Sequence, residues 1–356
     1  MDRSPVEAAA TPAIKLRRVA AYRGIRVLTW DKDVLYACRG YEIVRLRVGD
    51  STSEWEAVAG FHPAWWRRLT SRSALSYRLV RDGFHALAVL ANGAIVGAVP
   101  GAIATRPAGS PEFEITHRML RGTRPLHITA TPSGKIYWGE YFDNRERAEV
   151  HIYASEDRGA TWQIAHTFPP GSIRHVHNIV YDPWGDCLWI LTGDEGLECQ
   201  ILRASCDLRS VEIVLAGNQQ ARAVAAIPTK DALYLSTDTP YKKNHIYCLD
   251  RAGNAERTGD LNSSSIYGCR VGEALFFSTM VEPSAVNSSR DVQVAGWKGG
   301  SDWQTLLRWR KDGLSMRYFQ YGNAFLPDGD NATQILALTT IAVETDDLAA
   351  TLWRVE

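Results

Sequence analysis

The segment HNIVYDPWGDCLWILTGDEG, residues 177–196, has a pattern that predicts the architecture of the chain. An alternating apolar segment follows His177, a turn sequence rich in Pro, Gly and Asp interrupts it, and a second apolar segment ends at Asp194. Alternation with a period of two on both sides of such a turn is typical of a β-hairpin. The two polar residues therefore stand at the open end of the predicted hairpin.

The same hairpin pattern recurs along the chain. Clear copies are HITATPSGKIYWGEY (127–141) and RAVAAIPTKDALYLSTDTPY (222–241), and weaker copies begin at Arg26, His85, Ser265 and Asn323. Seven hairpins at a mean spacing of about 50 residues, with further strand-like segments between them, are typical of β-propeller blades. We therefore expect an all-β, seven-bladed β-propeller with four-stranded antiparallel blades. Six blades is the alternative, because the first and last copies are degenerate.

This interpretation makes residues 21–356 a single propeller domain and residues 1–20 an N-terminal arm or closing strand. No segment longer than a few residues shows helical periodicity. The turn sequences TPSG, DPWG, IPTKD and LPDGD should then all lie on one face of the ring. The opposite face, called the near face below, should collect the strand openers and the ends of the second strands.

Composition excludes several functional classes. The 356 residues contain 40 Lys+Arg and 40 Asp+Glu, so the chain lacks the basic excess of a nucleic-acid binder. No run approaches the roughly 20 apolar residues of a membrane span. The N-terminal sequence lacks the apolar core of a secretory signal, which predicts a cytoplasmic protein. Without any C-x-x-C pair, the cysteines are expected to be free thiols. They are Cys38, Cys187, Cys199, Cys206, Cys248 and Cys269.

The segment SEDRGATW (155–162) resembles the Asp-box, S-x-D-x-G-x-T-W, of sialidases and related propeller proteins. All five signature positions match: Ser155, Asp157, Gly159, Thr161 and Trp162. The resemblance implies a structural turn between the third and fourth strands of a blade, on the face away from the ligand. Eroded copies are SCDLRSVE (205–212) and DSTSEW (50–55). The chain has no Arg-Ile-Pro motif, so a true sialidase is not expected.

The geometry of a propeller brings a polar set to the near face. The strand openers are Arg26, His85, His127, His177, Arg222, Tyr267 and Asn323, and Arg174 and His175 precede the opener His177. The ends of the second strands and the following loops supply Glu140, Tyr141, Asp194, Glu195, Asp238, Tyr241, Lys242 and Glu282. Imidazoles, carboxylates, guanidiniums and phenols around one concave mouth predict acid–base chemistry.

The resemblance to Asp-box propellers implies a carbohydrate substrate, an oligosaccharide or polysaccharide cleaved at a glycosidic bond. A glycoside hydrolase would use two carboxylates from Glu140, Asp194 and Asp238. A lyase acting on a uronic acid would use Arg222 to neutralise the sugar carboxylate, with His127 or His177 as the base. Tyr141 or Tyr241 would then be the acid. The alternative is a non-catalytic scaffold, or a glycan-binding or assembly protein.

The candidate catalytic residues are His127, Glu140, Tyr141, His177, Asp194 and Arg222. The candidate substrate-binding residues are Arg26, His85, His175, Asp238, Tyr241 and Tyr267. No cofactor and no metal are expected. The imidazoles of His175 and His177 face the same way on one strand and could bind a metal. A role in proton transfer or substrate contact is the preferred interpretation.

Overall fold

Seven sheets, six of four strands and one of five, form the part of the chain that the computed structural model describes, residues 14–49, 54–71, 73–300 and 302–356. The predicted seven-bladed β-propeller is confirmed, and the six-bladed alternative is wrong. In six blades the first strand of the repeat lies on one edge of the sheet, and the four strands of every blade pair antiparallel in order toward the other edge.

The strands follow one another blade by blade. The first strand is β1 (Leu16–Arg23). Blade 1 contains β2 (Arg26–Lys32), β3 (Val34–Arg39), β4 (Glu42–Arg47) and β5 (Glu56–Gly60). Blade 2 contains β6 (Ala86–Val89), β7 (Ile95–Val99), β8 (Ala102–Arg106) and β9 (Glu114–Arg118). Blade 3 contains β10 (Thr129–Ala130), β11 (Ile136–Gly139), β12 (Val150–Ser155) and β13 (Gln163–Phe168).

The remaining blades continue the same order. Blade 4 contains β14 (His175–Asp182), β15 (Cys187–Gly193), β16 (Gln200–Ser205) and β17 (Val211–Ala216). Blade 5 contains β18 (Ala223–Pro228), β19 (Ala232–Thr237), β20 (Asn244–Asp250) and β21 (Ala255–Leu261). Blade 6 contains β22 (Ser265–Val271), β23 (Ala274–Thr279), β24 (Asp291–Trp297) and β25 (Gln304–Arg310). The last strands are β26 (Asn323–Phe325), β27 (Asp328–Asn331), β28 (Ile335–Ile341) and β29 (Ala349–Val355).

Blade 7 joins the two ends of the described chain. Its strand order is β26, β28, β29 and β1, and β1 pairs antiparallel with β29 from Leu16 opposite Val355 to Arg23 opposite Ala349. The segment before blade 1 therefore supplies the outer strand of the last blade. The domain boundary expected at residue 20 falls inside this strand.

An apolar core lies at each of the seven junctions between adjacent blades. Between blades 3 and 4, for example, Ile152 packs in one cluster with Val176 and Ile190. Between blades 7 and 1, Leu352 packs in one cluster with Leu35. Burial of these apolar faces stabilises the ring, because a blade left alone would expose both of its faces to water.

Strand β27 corrects the expectation for LPDGD. This sequence does not form a tight turn between two strands of blade 7. Residues Asp328–Asn331 instead leave that blade and pair in parallel with β2 of blade 1, with Asp328 opposite Thr29. Gly329 has a φ of +90° and lies so close to β2 that a Cβ atom would meet the carbonyl oxygen of Trp30 at 2.2 Å. The blade 1 sheet therefore has a fifth strand at its inner edge.

Two short helices, which the sequence did not predict, connect blades 1 and 2. They are α1 (Trp65–Thr70) and α2 (Ala74–Val80). The side chain of Tyr77, in α2, is buried and packs in one cluster with Phe325 and Ile341. Each helix is shorter than two full turns, so its sequence is too short to show a repeating apolar pattern. In the described part of the chain, no helix has the length and apolar character needed to cross a membrane.

The SEDRGATW segment forms the turn between β12 and β13, the third and fourth strands of blade 3. The Ser155 hydroxyl accepts a hydrogen bond from the backbone N–H of Gly159 at 2.7 Å and donates one to Asp157 at 2.8 Å. Asp157 also accepts from the backbone N–H and the hydroxyl of Thr161. The indole of Trp162 donates to Thr116 at 3.1 Å.

The eroded copy in blade 4 repeats part of this network. The hydroxyl of Ser205 donates to Asp207 at 2.6 Å and accepts from the backbone N–H of Ser210 at 3.1 Å. The third copy, at 50–55, lies largely outside the described residues. Both described copies connect the last two strands of a blade, so they act as local turn staples.

Candidate functional site

Blade 4 shows how the hairpins orient the polar residues. Its first two strands pair with His175 opposite Gly193 and with Asp182 opposite Cys187. The turn is fixed by Asp182, whose carboxylate accepts from the backbone N–H groups of Trp184 and Gly185 at 3.0 and 3.2 Å. The strand opener and the end of the second strand therefore meet at the opposite end of the hairpin, on the near face.

Five predicted residues meet there and form what we call the blade 4 cluster. They are Tyr141, His175, His177, Asp194 and Arg222. The two Nε2 atoms of His175 and His177 lie 3.1 Å apart. Oδ1 of Asp194 lies 3.2 Å from Nε2 of His177 and 3.3 Å from Nη2 of Arg222. The Tyr141 ring packs on the His175 ring with centroids 4.3 Å apart.

Local backbone features hold the two imidazoles in place. Nδ1 of His175 lies 3.1 Å from the carbonyl oxygen of Phe142, and Nδ1 of His177 lies 2.9 Å from that of Ala223. The His177 ring lies directly over Gly193, where a Cβ atom would meet its Cε1 at 2.5 Å. Glycine at this position is therefore required for the ring to reach Asp194.

Charge balance in the cluster depends on further arginines and carboxylates. Nη1 of Arg174 lies 3.2 Å from Oδ2 of Asp194, and Nη2 of Arg222 lies 3.8 Å from Oδ2 of Asp238. Burial disfavours the ionised form of Asp194, but the adjacent imidazoles of His175 and His177 outweigh it and hold the pKa of Asp194 well below the usual range. Burial, reinforced by the charges of Asp194 and Asp238, raises the pKa of Tyr141 to about 12.

A second group, the arginine cluster, contains Arg26, His85, Arg124 and Tyr267. Nη1 of Arg26 lies 3.0 Å from Nδ1 of His85, and its guanidinium stacks over the Phe325 ring at 4.1 Å. Nε2 of His85 and Nη1 of Arg124 both donate to the carbonyl oxygen of Arg81, at 3.0 and 3.3 Å.

The arginine cluster is strongly cationic. Among the described residues, no carboxylate forms an ion pair with Arg26 or Arg124. Burial and the neighbouring guanidiniums of Arg26 and Arg81 lower the pKa of Arg124 to about 10. Burial, Arg124 and Arg26 also lower the pKa of His85 well below its usual range. Two guanidiniums that form no ion pair with a described carboxylate are suited to bind an anionic ligand.

His127 joins this second group through Tyr267. The two rings lie with centroids 6.1 Å apart, and Tyr267 in turn contacts Phe325 at 5.2 Å. Nδ1 of His127 lies 3.0 Å from Oδ2 of Asp328 in β27. Nε2 of His127 has no hydrogen bond to any other residue of the described chain. Burial raises the pKa of Tyr267, which keeps its hydroxyl protonated.

A cavity of about 720 Å³ opens beside the arginine cluster. Its basic lining residues are Arg23, Arg26, Arg39, His62 and Arg68, and its acidic lining residues are Glu42 and Asp347. Tyr77 of α2 forms part of its wall. Of the predicted site residues, only Arg26 lines this cavity, so the cavity belongs to the arginine cluster and not to the blade 4 cluster.

Two predicted site residues lie apart from both clusters. Glu140 is 4% exposed, and its carboxylate is engaged by Arg121 and by the backbone N–H of His151 at 2.9 Å. The reason is strand alternation, because Glu140 and Tyr141 leave β11 in opposite directions. Tyr241 is 57% exposed and its hydroxyl lies 3.3 Å from Glu195. Residues predicted to share one mouth are therefore divided among separate groups.

Sequence reasoning missed two residues that complete these groups, Arg124 and Asp328. Arg124 lies only three positions before the opener His127, so proximity to an opener was the available signal. Arg174, which was predicted to lie on the near face beside His175, immediately precedes β14. Asp328 carried no such signal, because its sequence is typical of a turn and its partner lies in another blade.

Comparison with known proteins gives the fold but no family. A scan against protein-family models and a search of curated proteins found no match. The solved structures that resemble this chain include one from a mitotic checkpoint complex, with a TM-score of 0.58 and 11% identity over 99% of both chains.

Two further similar structures are GH74 enzymes. An ancestral GH74 enzyme has a TM-score of 0.54 and 13% identity, covering 91% of this chain and 44% of that one. The GH74 xyloglucanase from Xanthomonas campestris has a TM-score of 0.54 and 17% identity, covering 83% of this chain and 47% of that one. This chain therefore spans less than half the length of each GH74 chain. At such identities the likeness is one of fold.

Proposed function

We propose that the chain is a carbohydrate-active enzyme that cleaves a glycosidic bond in an acidic oligosaccharide or polysaccharide. The observation that carries this proposal is the arginine-lined cavity that reaches Arg26. A concave site with convergent polar groups is the usual place for a small-molecule ligand. Its excess of guanidiniums selects for a carboxylate or another anionic group on the sugar.

Arg26 connects this cavity to the arginine cluster, whose residues together with His127 suit β-elimination from a uronate. Arg26 and Arg124 would bind the sugar carboxylate and stabilise the negative charge that develops on it. Nε2 of His127 would remove the proton from the carbon next to the carboxylate. The electron pair would form a carbon–carbon double bond as the bond to the leaving oxygen breaks. The Tyr267 hydroxyl would protonate that oxygen.

His127 suits the role of the base better than His177 does. Its Nδ1 faces Asp328, which would hold the proton on that nitrogen and leave Nε2 free to accept one. Both ring nitrogens of His177 are already engaged, by Ala223 on one side and by His175 and Asp194 on the other.

Hydrolysis is the second candidate reaction. Burial and the nearby charge of Asp238 raise the pKa of Glu282, as expected for a carboxylic acid that donates a proton. Asp238 would then be the second carboxylate. The fold likeness to GH74 enzymes, one of them named a xyloglucanase, favours this alternative.

A non-catalytic scaffold remains the alternative from another class. The exposed apolar residues of the two helices favour it, since such a patch is typical of protein interfaces. They are Trp65, Trp66, Leu69, Leu75 and Leu79. The fold likeness to a chain from a mitotic checkpoint complex is consistent with this reading.

We also propose that the enzyme acts in a reducing, cytoplasmic compartment. All six cysteines are free thiols, and Cys38, Cys187 and Cys199 are buried. A chain with this many unpaired cysteines suits a compartment in which thiols stay reduced. Its substrate would then be an imported oligosaccharide or a glycan under construction.

A panel of neutral and uronate-containing oligosaccharides tests the proposal. New reducing ends together with ultraviolet absorbance from an unsaturated product are expected with the uronate substrates. Reducing ends without that absorbance would replace elimination by hydrolysis. Neither signal across the panel, with no binding to any uronate, would contradict the enzyme proposal and favour the scaffold.

A further inference from the structure

The two imidazoles of the blade 4 cluster present lone pairs to each other. Nδ1 of His175 and Nδ1 of His177 each face a backbone carbonyl oxygen, of Phe142 and Ala223. A carbonyl oxygen can only accept, so each Nδ1 carries its ring's proton. In a neutral imidazole the other nitrogen, Nε2, then has none.

Three acceptor atoms therefore surround one small space. Nε2 of His175, Nε2 of His177 and Oδ1 of Asp194 are separated by 3.1, 3.2 and 3.5 Å. Lone pairs at such distances repel one another unless a cation or an additional proton lies between them. The point in their plane that is equidistant from the three atoms lies about 1.9 Å from each.

We propose that His175, His177 and Asp194 bind one divalent first-row transition-metal ion. An ion slightly above the plane of the three atoms would reach all of them at about 2.0–2.1 Å, the usual bond length for zinc with nitrogen and oxygen ligands. Two imidazoles and one carboxylate on one side of an ion leave its remaining positions open. Imidazole donors favour a transition metal over Mg²⁺ or Ca²⁺.

The surroundings support a bound ion. The two carbonyl oxygens that fix the Nδ1 protons are the outer-shell partners that metal-binding histidines usually have. Oδ1 of Asp238 is buried and has no hydrogen-bond partner among the described residues. A water molecule on the ion would give this oxygen a donor.

The nearby guanidiniums do not oppose the ion. Arg174 contacts Oδ2 of Asp194 at 3.2 Å but also pairs with Asp143 at 2.7 Å. Arg222 contacts Oδ1 of Asp194 at 3.3 Å but also faces Asp238 at 3.8 Å. Each arginine therefore has a second carboxylate, which leaves the local charge low enough to accept a cation.

This inference goes beyond the proposed function and does not depend on it. The base proposed for elimination is His127, which is not one of the three ligands. Metal binding is measured directly, so cleavage activity is not the readout. A protein that binds the ion and cleaves no sugar would contradict the proposed function and leave the metal site intact.

The test uses full-length protein stripped with a chelator and titrated with Co²⁺, followed by visible absorbance, and with Zn²⁺, followed by calorimetry. One equivalent of each is expected to bind, with no competition from Mg²⁺ or Ca²⁺ at the same concentration. His177→Gln should weaken Co²⁺ binding by roughly 100-fold or more.

The matched control is His245→Gln. His245 also faces a carboxylate, Asp260 at 2.8 Å, but no third ligand joins that pair among the described residues. The Co²⁺ affinity of the His245→Gln variant should equal that of the wild type. Wild-type protein that takes up neither Co²⁺ nor Zn²⁺, or a folded His177→Gln variant that binds Co²⁺ as tightly as the wild type, would overturn the proposal.

A second measurement covers the case in which His177→Gln fails to fold. Long-range proton–nitrogen NMR spectra of the wild type should show Zn²⁺ shifting Nε2 of two of the nine histidines, while their Nδ1 atoms stay protonated. A Zn²⁺-bound protein in which neither His175 nor His177 shifts would equally overturn the site.

Discussion

Nδ1 of His127 lies 3.0 Å from Oδ2 of Asp328, although the two residues are 201 positions apart in the chain. The contact exists because β27 leaves blade 7 and pairs in parallel with β2 at the inner edge of blade 1. It gives one imidazole of the near face a fixed orientation and a free Nε2. The proposed elimination depends on this pair.

Replacing Asp328 with Asn should impair catalysis. The amide can hold His127 in place but cannot stabilise the imidazolium that forms when the ring takes a proton. We expect kcat/KM on a uronate oligosaccharide to fall by about 10²- to 10⁴-fold. Asp330→Asn is the matched control, because Asp330 is an exposed carboxylate on the same strand. An equal fall in kcat/KM in both variants would mean that the Asp328 carboxylate has no specific role in catalysis.

The basic cavity should determine affinity for acidic sugars. Removing two guanidiniums with Arg39→Gln and Arg68→Gln should lower the affinity for a uronate oligosaccharide by about tenfold at low salt, with a smaller loss at high salt. Calorimetry at two salt concentrations measures both effects. Arg308→Gln with Arg354→Gln removes the same charge from strands that do not line the cavity. If that control lowers the affinity equally, binding depends on overall charge and not on the cavity.

His85 should make the fold less stable in acid. Its pKa is lowered in the folded state by burial, Arg124 and Arg26, so the unfolded chain binds the proton more readily. Stability therefore falls as the pH drops through the ordinary histidine pKa, about 6.5. Urea unfolding at pH 7.5 and pH 5 should show this loss, and His85→Gln should reduce the difference. An unchanged pH dependence in His85→Gln would assign the loss to other groups.

The turn in blade 3 should contribute to stability and not to activity. Ser155→Ala leaves the buried N–H of Gly159 without a partner, which costs about 1–2 kcal/mol of unfolding free energy. Urea unfolding measures this cost. Ser205→Ala in the eroded turn of blade 4 is the control and should cost less, because that turn is exposed. A reduced kcat in a folded Ser155→Ala variant would contradict a purely structural role.

The sequence predicted the architecture because the hairpin repeat is local. Each hairpin combines a period-two apolar pattern with its own turn residues, and neither depends on distant contacts. The near-face position of Arg26, His177, Asp194 and Arg222 followed from that repeat alone. The helix that contains Tyr77 was not predicted, because a helix of fewer than two turns is too short to show a repeating apolar pattern.

The sequence did not predict which near-face residues contact one another. Side chains along a strand alternate between its two faces, so the last position of a strand decides which neighbouring blade a side chain faces. Glu140 and Tyr141 differ by one position and face opposite sides. Asp328 reaches His127 only because a segment changes blades, and LPDGD gives no local sign of that change.

The role of His127 as the base is tested by comparing wild-type protein with His127→Gln on a uronate oligosaccharide, with product formation followed by the ultraviolet absorbance of the unsaturated product. The His245→Gln variant serves as the control, since that imidazole lies on β20 away from the arginine cluster. Wild type and His245→Gln should form product at the same rate, and His127→Gln should form almost none. Product formation by a folded His127→Gln variant at the wild-type rate would exclude His127 as the base and with it the proposed elimination.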